Sequence, residues 1–233
     1  MAKERAIAIL SGGLDSSVSL LKALKVYEVI LALTFDYGQR AAAREMKAAE
    51  DFCVREKIPF EVLHLPWLAK LTNTSLVNRG KEIPKIPLLD LDNPAVASAS
   101  AHAVWVPNRN GLFLNVAACF ADRYGAKVLI TGFNEEEAAT FPDNSAAFTE
   151  AVSKSLFYST EVKTRVESFT QNMTKDQIVK EALELKLPLE NLWSCYEGGE
   201  RPCGTCESCL RTRRAFQNNG VWETMKGRFL HHG

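Results

Sequence analysis

The sequence predicts an α/β fold: a doubly wound, parallel, five-stranded sheet with a small C-terminal appendage. Three observations carry that expectation. Short β-rich runs alternate with helical patterns along most of the chain, as a parallel sheet with crossover helices requires. The second of these runs is almost continuously apolar, which suits a strand covered on both faces. Four of the six cysteines lie within residues 195–209, beyond the last β-rich run, and set off a separate C-terminal segment.

The elements follow in order. Ala6-Ile7-Ala8-Ile9-Leu10 reads as the first strand, and Val18, Leu21 and Leu24 place apolar residues at helical spacing after it. A second strand is expected from about Val29 to Phe35, a helix over 41–56, and a third strand over Phe60–Leu65 behind Pro59. Residues 72–107 carry Pro84, Pro87, Pro94 and Pro107 with little periodicity, and are expected to form a long functional loop, a substrate lid or a subunit contact. A helix resumes over 110–124 with Gly125 as its stop. Residues 127–132 read as the fourth strand, 145–157 as a helix and 162–169 as the fifth strand. Thr174 and Gln177 have the spacing of a capping box for a helix reaching Leu185. A short basic helix is expected over 210–217, ended by Asn219-Gly220.

The bulk numbers narrow the function classes. A chain of 233 residues with 46% hydrophobic and 24% charged residues suits one globular domain with a small addition. The expected division is 1–190 for a nucleotide-binding α/β domain including the segment 72–107, and 191–233 for a cysteine segment with its basic helix. Lys plus Arg and Asp plus Glu are both 28, and a net charge of zero argues against broad nucleic-acid binding. No apolar run is long enough for a signal region or a membrane span, so a cytoplasmic protein is expected, with no membrane partner.

The most informative motif is Ser11-Gly12-Gly13-Leu14-Asp15-Ser16-Ser17, set between the first strand and the first helix. Glycines let backbone N–H groups approach a phosphate closely, and a helix start presents free N–H groups and its positive dipole end to an anion. Ser11, Ser16 and Ser17 add hydroxyl groups. The segment has neither the lysine of a Walker loop nor the dinucleotide fingerprint. Phe35-Asp36-Tyr37-Gly38-Gln39 closes the second strand at the edge where such sheets bind ligands. It is either a nucleotide contact or a strand-to-helix turn built on Gly38. In Val106-Pro107-Asn108-Arg109-Asn110 the planar fork of Arg109 suits a carboxylate or phosphate; the alternative is a turn in which Asn110 serves only as a helix cap. Phe141-Pro142-Asp143-Asn144 is a helix-start turn or a substrate contact, and the acidic run 135–137 is a solvated loop or a helix start.

Cys195-x7-Cys203-x2-Cys206-x2-Cys209 has the spacing of a closed four-thiolate metal site, with zinc expected in a structural role, one per chain, and iron–sulfur as the rival. Arg201, Arg211, Arg213 and Arg214 either offset the negative charge of such a centre or form a solvated basic helix, the second being the preferred reading. Cys53 and Cys119 fall in apolar helical patterns and are expected in the core.

The glycine loop resembles the PP-loop of the ATP pyrophosphatase superfamily, Ser-Gly-Gly-x-Asp-Ser-Ser/Thr, with Leu14 at the variable position. That resemblance implies an adenine nucleotide alpha hydrolase-like fold whose loop holds the pyrophosphate part of ATP, with AMP as the transferred group. The phrases Phe35–Gln39, Val106–Asn110 and Phe141–Asp143, with Ser194–Gly199 and Cys203–Arg211, make the chain similar to the 7-cyano-7-deazaguanine synthase family. Where some members read Pro-Asp-Cys-Arg, this chain reads Pro142-Asp143-Asn144-Ser145, so the match stops at Asp143.

The resemblance implies conversion of 7-carboxy-7-deazaguanine and ammonia to the nitrile in queuosine precursor synthesis, at the expense of ATP, through adenylated acid and amide. It also implies Mg²⁺ and a homodimer. Asp15, Ser16, Arg109 and Asp143 are then the expected catalytic residues. Ser11, Gly12, Gly13, Leu14, Asp15, Ser16 and Ser17, with Phe35, Tyr37, Gly38 and Gln39, are expected to hold the nucleotide. The rivals are a PP-loop enzyme that modifies tRNA or another carboxylate, a glutamine-dependent synthetase, for which too few residues remain, and a nucleotide-binding zinc module without activity.

Overall fold

The structure, a computed structural model, describes residues 2–232. Five parallel strands form one sheet in the order β3-β2-β1-β4-β5: β1 (Arg5–Ile9), β2 (Glu28–Asp36), β3 (Phe60–His64), β4 (Val128–Thr131) and β5 (Arg165–Ser168). The central β1 and β4 are buried almost throughout, as strands covered on both faces must be. The apolar side chains Ile7, Leu33, Leu129 and Ile130 form the middle of the core.

From β1 the chain steps outward through α1 (Leu14–Val26) to β2 and through α2 (Ala42–Glu56) to β3. It then crosses back to β4 and continues outward to β5. Because parallel crossovers are right-handed, reversal of the stepping direction puts the later helices on the opposite face. Accordingly α4 (Arg109–Tyr124) covers β1 and β4 and meets α6 (Ala146–Ser159) on the face opposite α1, while α7 (Lys175–Glu184), which follows the last strand, returns to pack with α1. The reversal falls between β1 and β4. Their following loops diverge there and leave a crevice at the carboxyl edge.

Local signals set most boundaries. Gly125 ends α4 in the left-handed region (φ 70°). Ser145 caps α6 through the Phe148 N–H. Thr174 and Gln177 form both halves of the capping box of α7.

Three expectations are corrected. Residues 94–104 of the segment expected to be irregular form a helix, α3 (Pro94–Val104). The Asn93 side chain accepts the Ala95 N–H and Pro94 occupies the first turn. The buried face, Ala97, Ser100, Ala101 and Val104, has helical spacing, but its small side chains give almost no apolar signal. Cys119 is exposed on α4 and donates to the Asn115 carbonyl, whereas Cys53 is buried as expected. Arg211 is not solvated: it lies buried on α8 (Glu207–Asn218), paired with Glu207 and Glu136 at 3.0 Å each.

The acidic run begins a short helix, α5 (Glu135–Ala138), capped by Asn134. Beyond α8 the chain adds α9 (Trp222–Met225). Phe216, Trp222 and Phe229 join the same apolar core as the sheet. No helix among the described residues is long and apolar enough to cross a membrane.

Candidate active site

A cavity of about 250 Å³ opens at the carboxyl edge, over the crevice between β1 and β4. One wall is the loop after β1. Gly12 turns there with φ 72°, and a side chain in its place would strike α2 at Glu45, Ala48 and Ala49. The loop is braced internally: the Ser11 and Ser16 hydroxyls lie 3.0 Å apart, and Ser16 Oγ accepts from the Ser11 N–H. Gly13 opens α1 with no side-chain cap of its own, and a glycine-led helix start of this kind suits an anion.

Asp15 sits in that first turn. Its Oδ2 accepts from Lys175 Nζ at 2.6 Å, and its Oδ1 is buried without a hydrogen-bond partner. Burial pushes the Asp15 carboxyl above its ordinary value, and the Lys175 ammonium draws it part of the way back.

The opposite wall comes from the ends of β2, α3 and α4. Arg109 begins α4 behind Asn108, which takes the left-handed conformation that asparagine tolerates (φ 50°). Arg109 Nη1 donates to Tyr37 Oη at 3.3 Å. Burial works against the Arg109 charge, but Tyr37, Asp143 and Glu45 outweigh it and raise the pKa. Burial raises the Asp143 carboxyl, and Arg109 opposes that rise. Asn110 donates to the Asp143 backbone carbonyl at 3.3 Å, so the amide beside Arg109 fixes the turn that carries Asp143. The Trp105 and Phe141 rings run nearly parallel (5°) at 6.2 Å and supply flat apolar surface. Glu45, on α2, accepts from Gln39 Nε2 at 2.8 Å, and burial raises its carboxyl.

Of the residues the sequence singled out, the fold brings Ser11, Gly13, Asp15, Ser16, Phe35, Tyr37, Arg109 and Asp143 to the cavity wall. Gly12 and Leu14 are buried behind the loop and Ser17 is fully buried. Gly38 turns with φ 90° below Ala69. Gln39 is a brace: its side chain accepts the Tyr37 N–H and donates to the Phe35 carbonyl. Glu45, Trp105, Ser194 and Tyr196 also line the cavity. Glu45 and Trp105 carry no local motif of their own; Ser194 and Tyr196 lie in the phrase Ser194–Gly199, which carried the family resemblance but was given no site role.

The cysteine segment closes over the loop. The Trp193 N–H donates to the Gly12 carbonyl at 2.9 Å, and the Leu14 N–H to Ser194 Oγ at 3.4 Å. The four sulfurs of Cys195, Cys203, Cys206 and Cys209 lie within 4.8 Å of one another. A tetrahedral ion with bonds of about 2.3 Å sets its sulfurs about 3.8 Å apart, and Cys203 and Cys209 are 3.9 Å apart. Backbone N–H groups of Glu197 and Cys203 point at Cys195 Sγ, those of Thr205 and Cys206 at Cys203 Sγ. Such donors favour thiolates, so the residues fit a single metal ion. Arg228 lies beside Cys195 and Cys209 and donates to the Leu189 and Leu192 carbonyls. Arg214 pairs with Asp92 and Glu136, and Arg201 donates to the Gly227 and Phe229 carbonyls.

Comparison with known proteins gives a consistent result. The family model described as "Queuosine biosynthesis protein QueC" matches residues 5–220. A 7-cyano-7-deazaguanine synthase of Carboxydothermus hydrogenoformans is 50% identical over 93% of this chain and 100% of its own length. One of Methanosarcina mazei is 48% identical over 93% of this chain and 95% of its own length. Among solved structures, the U34-tRNA thiolase NcsA of Methanococcus maripaludis, with its [4Fe-4S] cluster, superposes with a TM-score of 0.50 at 16% identity. The match covers 98% of this chain and 69% of that one, and the likeness concerns the fold.

Proposed function

The chain belongs to the QueC family of queuosine biosynthesis proteins, and from that membership we propose that its cavity adenylates 7-carboxy-7-deazaguanine with ATP and carries it, with ammonia, to 7-cyano-7-deazaguanine. The enzyme class follows from the family: an ATP-dependent carbon–nitrogen ligase. The observation that carries the finer reading is that one cavity joins an anion-receiving loop, with Asp15 and Ser16, to a cationic and carboxylate pair, Arg109 and Asp143, on the facing wall.

The chemistry is consistent at the level of charge. A carboxylate is a poor electrophile. Attack of its oxygen on the α-phosphorus of ATP forms the acyl adenylate and expels pyrophosphate. Ammonia then displaces AMP, giving the amide. The amide oxygen is adenylated in turn, and loss of AMP and a proton leaves the nitrile.

In this scheme the α1 N-terminus and the Ser11 and Ser16 hydroxyls hold the leaving pyrophosphate. Arg109 meets the carboxylate, and Asp143 accepts the N–H donors of the guanine-like edge. Mg²⁺, when bound, would offset phosphate charge, and the free Oδ1 of Asp15 is the donor suited to it. The four cysteines would hold one structural zinc. We assign residues 1–190 to nucleotide chemistry and 191–233 to support of the loop. We further propose a homodimer, which would cover some of the exposed apolar side chains Leu89, Phe157 and Tyr158.

The test is mass analysis of the products from ATP, ammonia and the acid, with Asp15→Ala and Ser16→Ala as controls. Each variant is expected to slow pyrophosphate release by about 10²–10³ with its fold intact. Near-normal release in both removes the loop from the mechanism.

A further inference from the structure

Arg109 and Asp143 account for the carboxylate and the N–H edge of the acid, but a fused bicycle also has two flat, largely apolar faces. Trp105 and Phe141 present surface that matches them. Both line the cavity and both are half-buried, and their planes run within 5° of each other with centroids 6.2 Å apart. The local chain holds each ring in place. Val104 and Val106, on either side of Trp105, are buried in the core, so the backbone is fixed and the indole between them is left to the cavity. The Phe141 N–H donates to the Glu137 carbonyl at 2.8 Å, and the Phe141 carbonyl accepts the Asn144 N–H at 2.9 Å. Two rings left at a cavity that also holds Asp15, Glu45 and Arg109 forgo part of the gain of burial, and a flat ligand restores it. Chain position says which ligand. Trp105 comes four residues before Arg109 and Phe141 two before Asp143. The rings therefore adjoin the groups assigned to the acid and not the loop assigned to the phosphates.

Resting on the reading of Arg109 and Asp143 given above, we propose that Trp105 and Phe141 are specificity-determining residues that stack on the fused ring of the substrate. Stacking depends on the face of a ring and is tolerant of what its edge carries. The site then selects by two separable features: the aromatic pair takes a planar bicycle with a guanine-like edge, and Arg109 adds preference for one that bears an acid. The bare ring, 7-deazaguanine, lacks the carboxylate and should still occupy the same place, more weakly, in competition with the acid.

The experiment is calorimetric titration of the full-length protein with three separate probes: the acid, 7-deazaguanine, and ATP with magnesium. Trp105→Leu and Phe141→Leu keep apolar bulk without a ring; Trp105→Phe and Phe141→Tyr keep a ring. Each leucine variant should lose about fivefold to a hundredfold in affinity for both the acid and 7-deazaguanine, the usual worth of one base–aromatic stack, and stay within about twofold of wild type for ATP. The ring-keeping variants should remain within about threefold of wild type for every probe. Arg109→Ala should weaken the acid far more than 7-deazaguanine, which separates recognition of the ring from recognition of the carboxylate. ATP affinity doubles as the check of folding, and Trp105→Met and Phe141→Met, which adapt more easily to their surroundings, replace a leucine variant that does not fold. Leucine variants that bind the acid and 7-deazaguanine as wild type does overturn the proposal. Loss of ATP affinity with the acid unaffected also overturns it and gives the rings to adenine. Equal loss for all three probes, in ring-keeping and leucine variants alike, leaves the pair a structural element only. If wild type binds 7-deazaguanine in a ring-dependent way but not the acid, the stacking pair stands and the assignment of Arg109 to the carboxylate falls; if wild type binds neither, both fall.

Discussion

Arg109 and Asp143 are built differently although they share one wall. Arg109 is tethered through Tyr37, and its charge is supported by three neighbours; Asp143 rests on a turn fixed by Asn110. In the proposed reading both serve the acid rather than ATP, so Arg109→Ala and Asp143→Ala should each weaken the acid more than the nucleotide in paired titrations. If Arg109→Ala weakens only ATP, the arginine is a phosphate clamp. The two thiols outside the four-cysteine cluster give a second contrast. Burial pushes Cys53 up to about 12, so it is almost wholly protonated at pH 8, while Cys119 lies in the open. Iodoacetamide at pH 8 should label Cys119 and spare Cys53 in the native protein; mass mapping that finds both labelled at similar rates contradicts the buried assignment. Gly132 is a third case. A Cβ there would collide with the backbone of Asp15 and Ser16 in the first turn of α1. Gly132→Ala should therefore impair ATP binding, and normal ATP affinity in that variant would show that the turn can yield.

At the scale of elements, the segment 72–107 does more than connect β3 to α4. It delivers Leu76, Val104, Trp105 and Val106 to the cavity, and Lys85 forms a β-bridge to Cys206. A deletion spanning Asn78–Pro94 removes the approach to α3 and the bridge to the cysteine segment, and is expected to change turnover or oligomeric state. Wild-type kinetics and mass in that deletion would reduce the segment to a linker. The cysteine segment acts through Trp193 and Ser194, which bond Gly12 and Leu14 just before the first thiol. Cys206→Ser should lose the metal and, with it, affinity for ATP; activity surviving in a metal-free Cys206→Ser protein would sink the structural role.

For the molecule as a whole, the cysteine segment belongs to the same apolar core as the sheet, so a metal held there should be coupled to global stability. Protein purified without chelators is expected to contain one zinc per chain, and stripping it should lower the melting temperature by several degrees, on the rule that about 1 kcal/mol moves a domain of this size by about 2–4 °C. Elemental analysis without zinc, or an unchanged melt after stripping, would count against that assignment. Topology explains why the site lies where it does. The reversal between β1 and β4 opens a crevice, and the loop after β1 is one wall of it.

What the sequence by itself determined is what depends on neighbours along the chain. The strands, the capping box at Thr174, the stop at Gly125, the glycine loop and the spacing of the four cysteines are local patterns, set by backbone conformation and by short runs of apolar residues. The helix α3 escaped because its buried face is made of small side chains that carry little apolar signal. Tertiary structure alone decided which groups meet. Lys175 reaches Asp15 across 160 residues, Arg211 turns from solvent to Glu136, and Gln39 becomes a brace for the turn beneath Tyr37. The pairing of a buried charge depends on where the backbone brings the partner. That position is set by the crossovers and the packing of the whole sheet, which no single segment encodes.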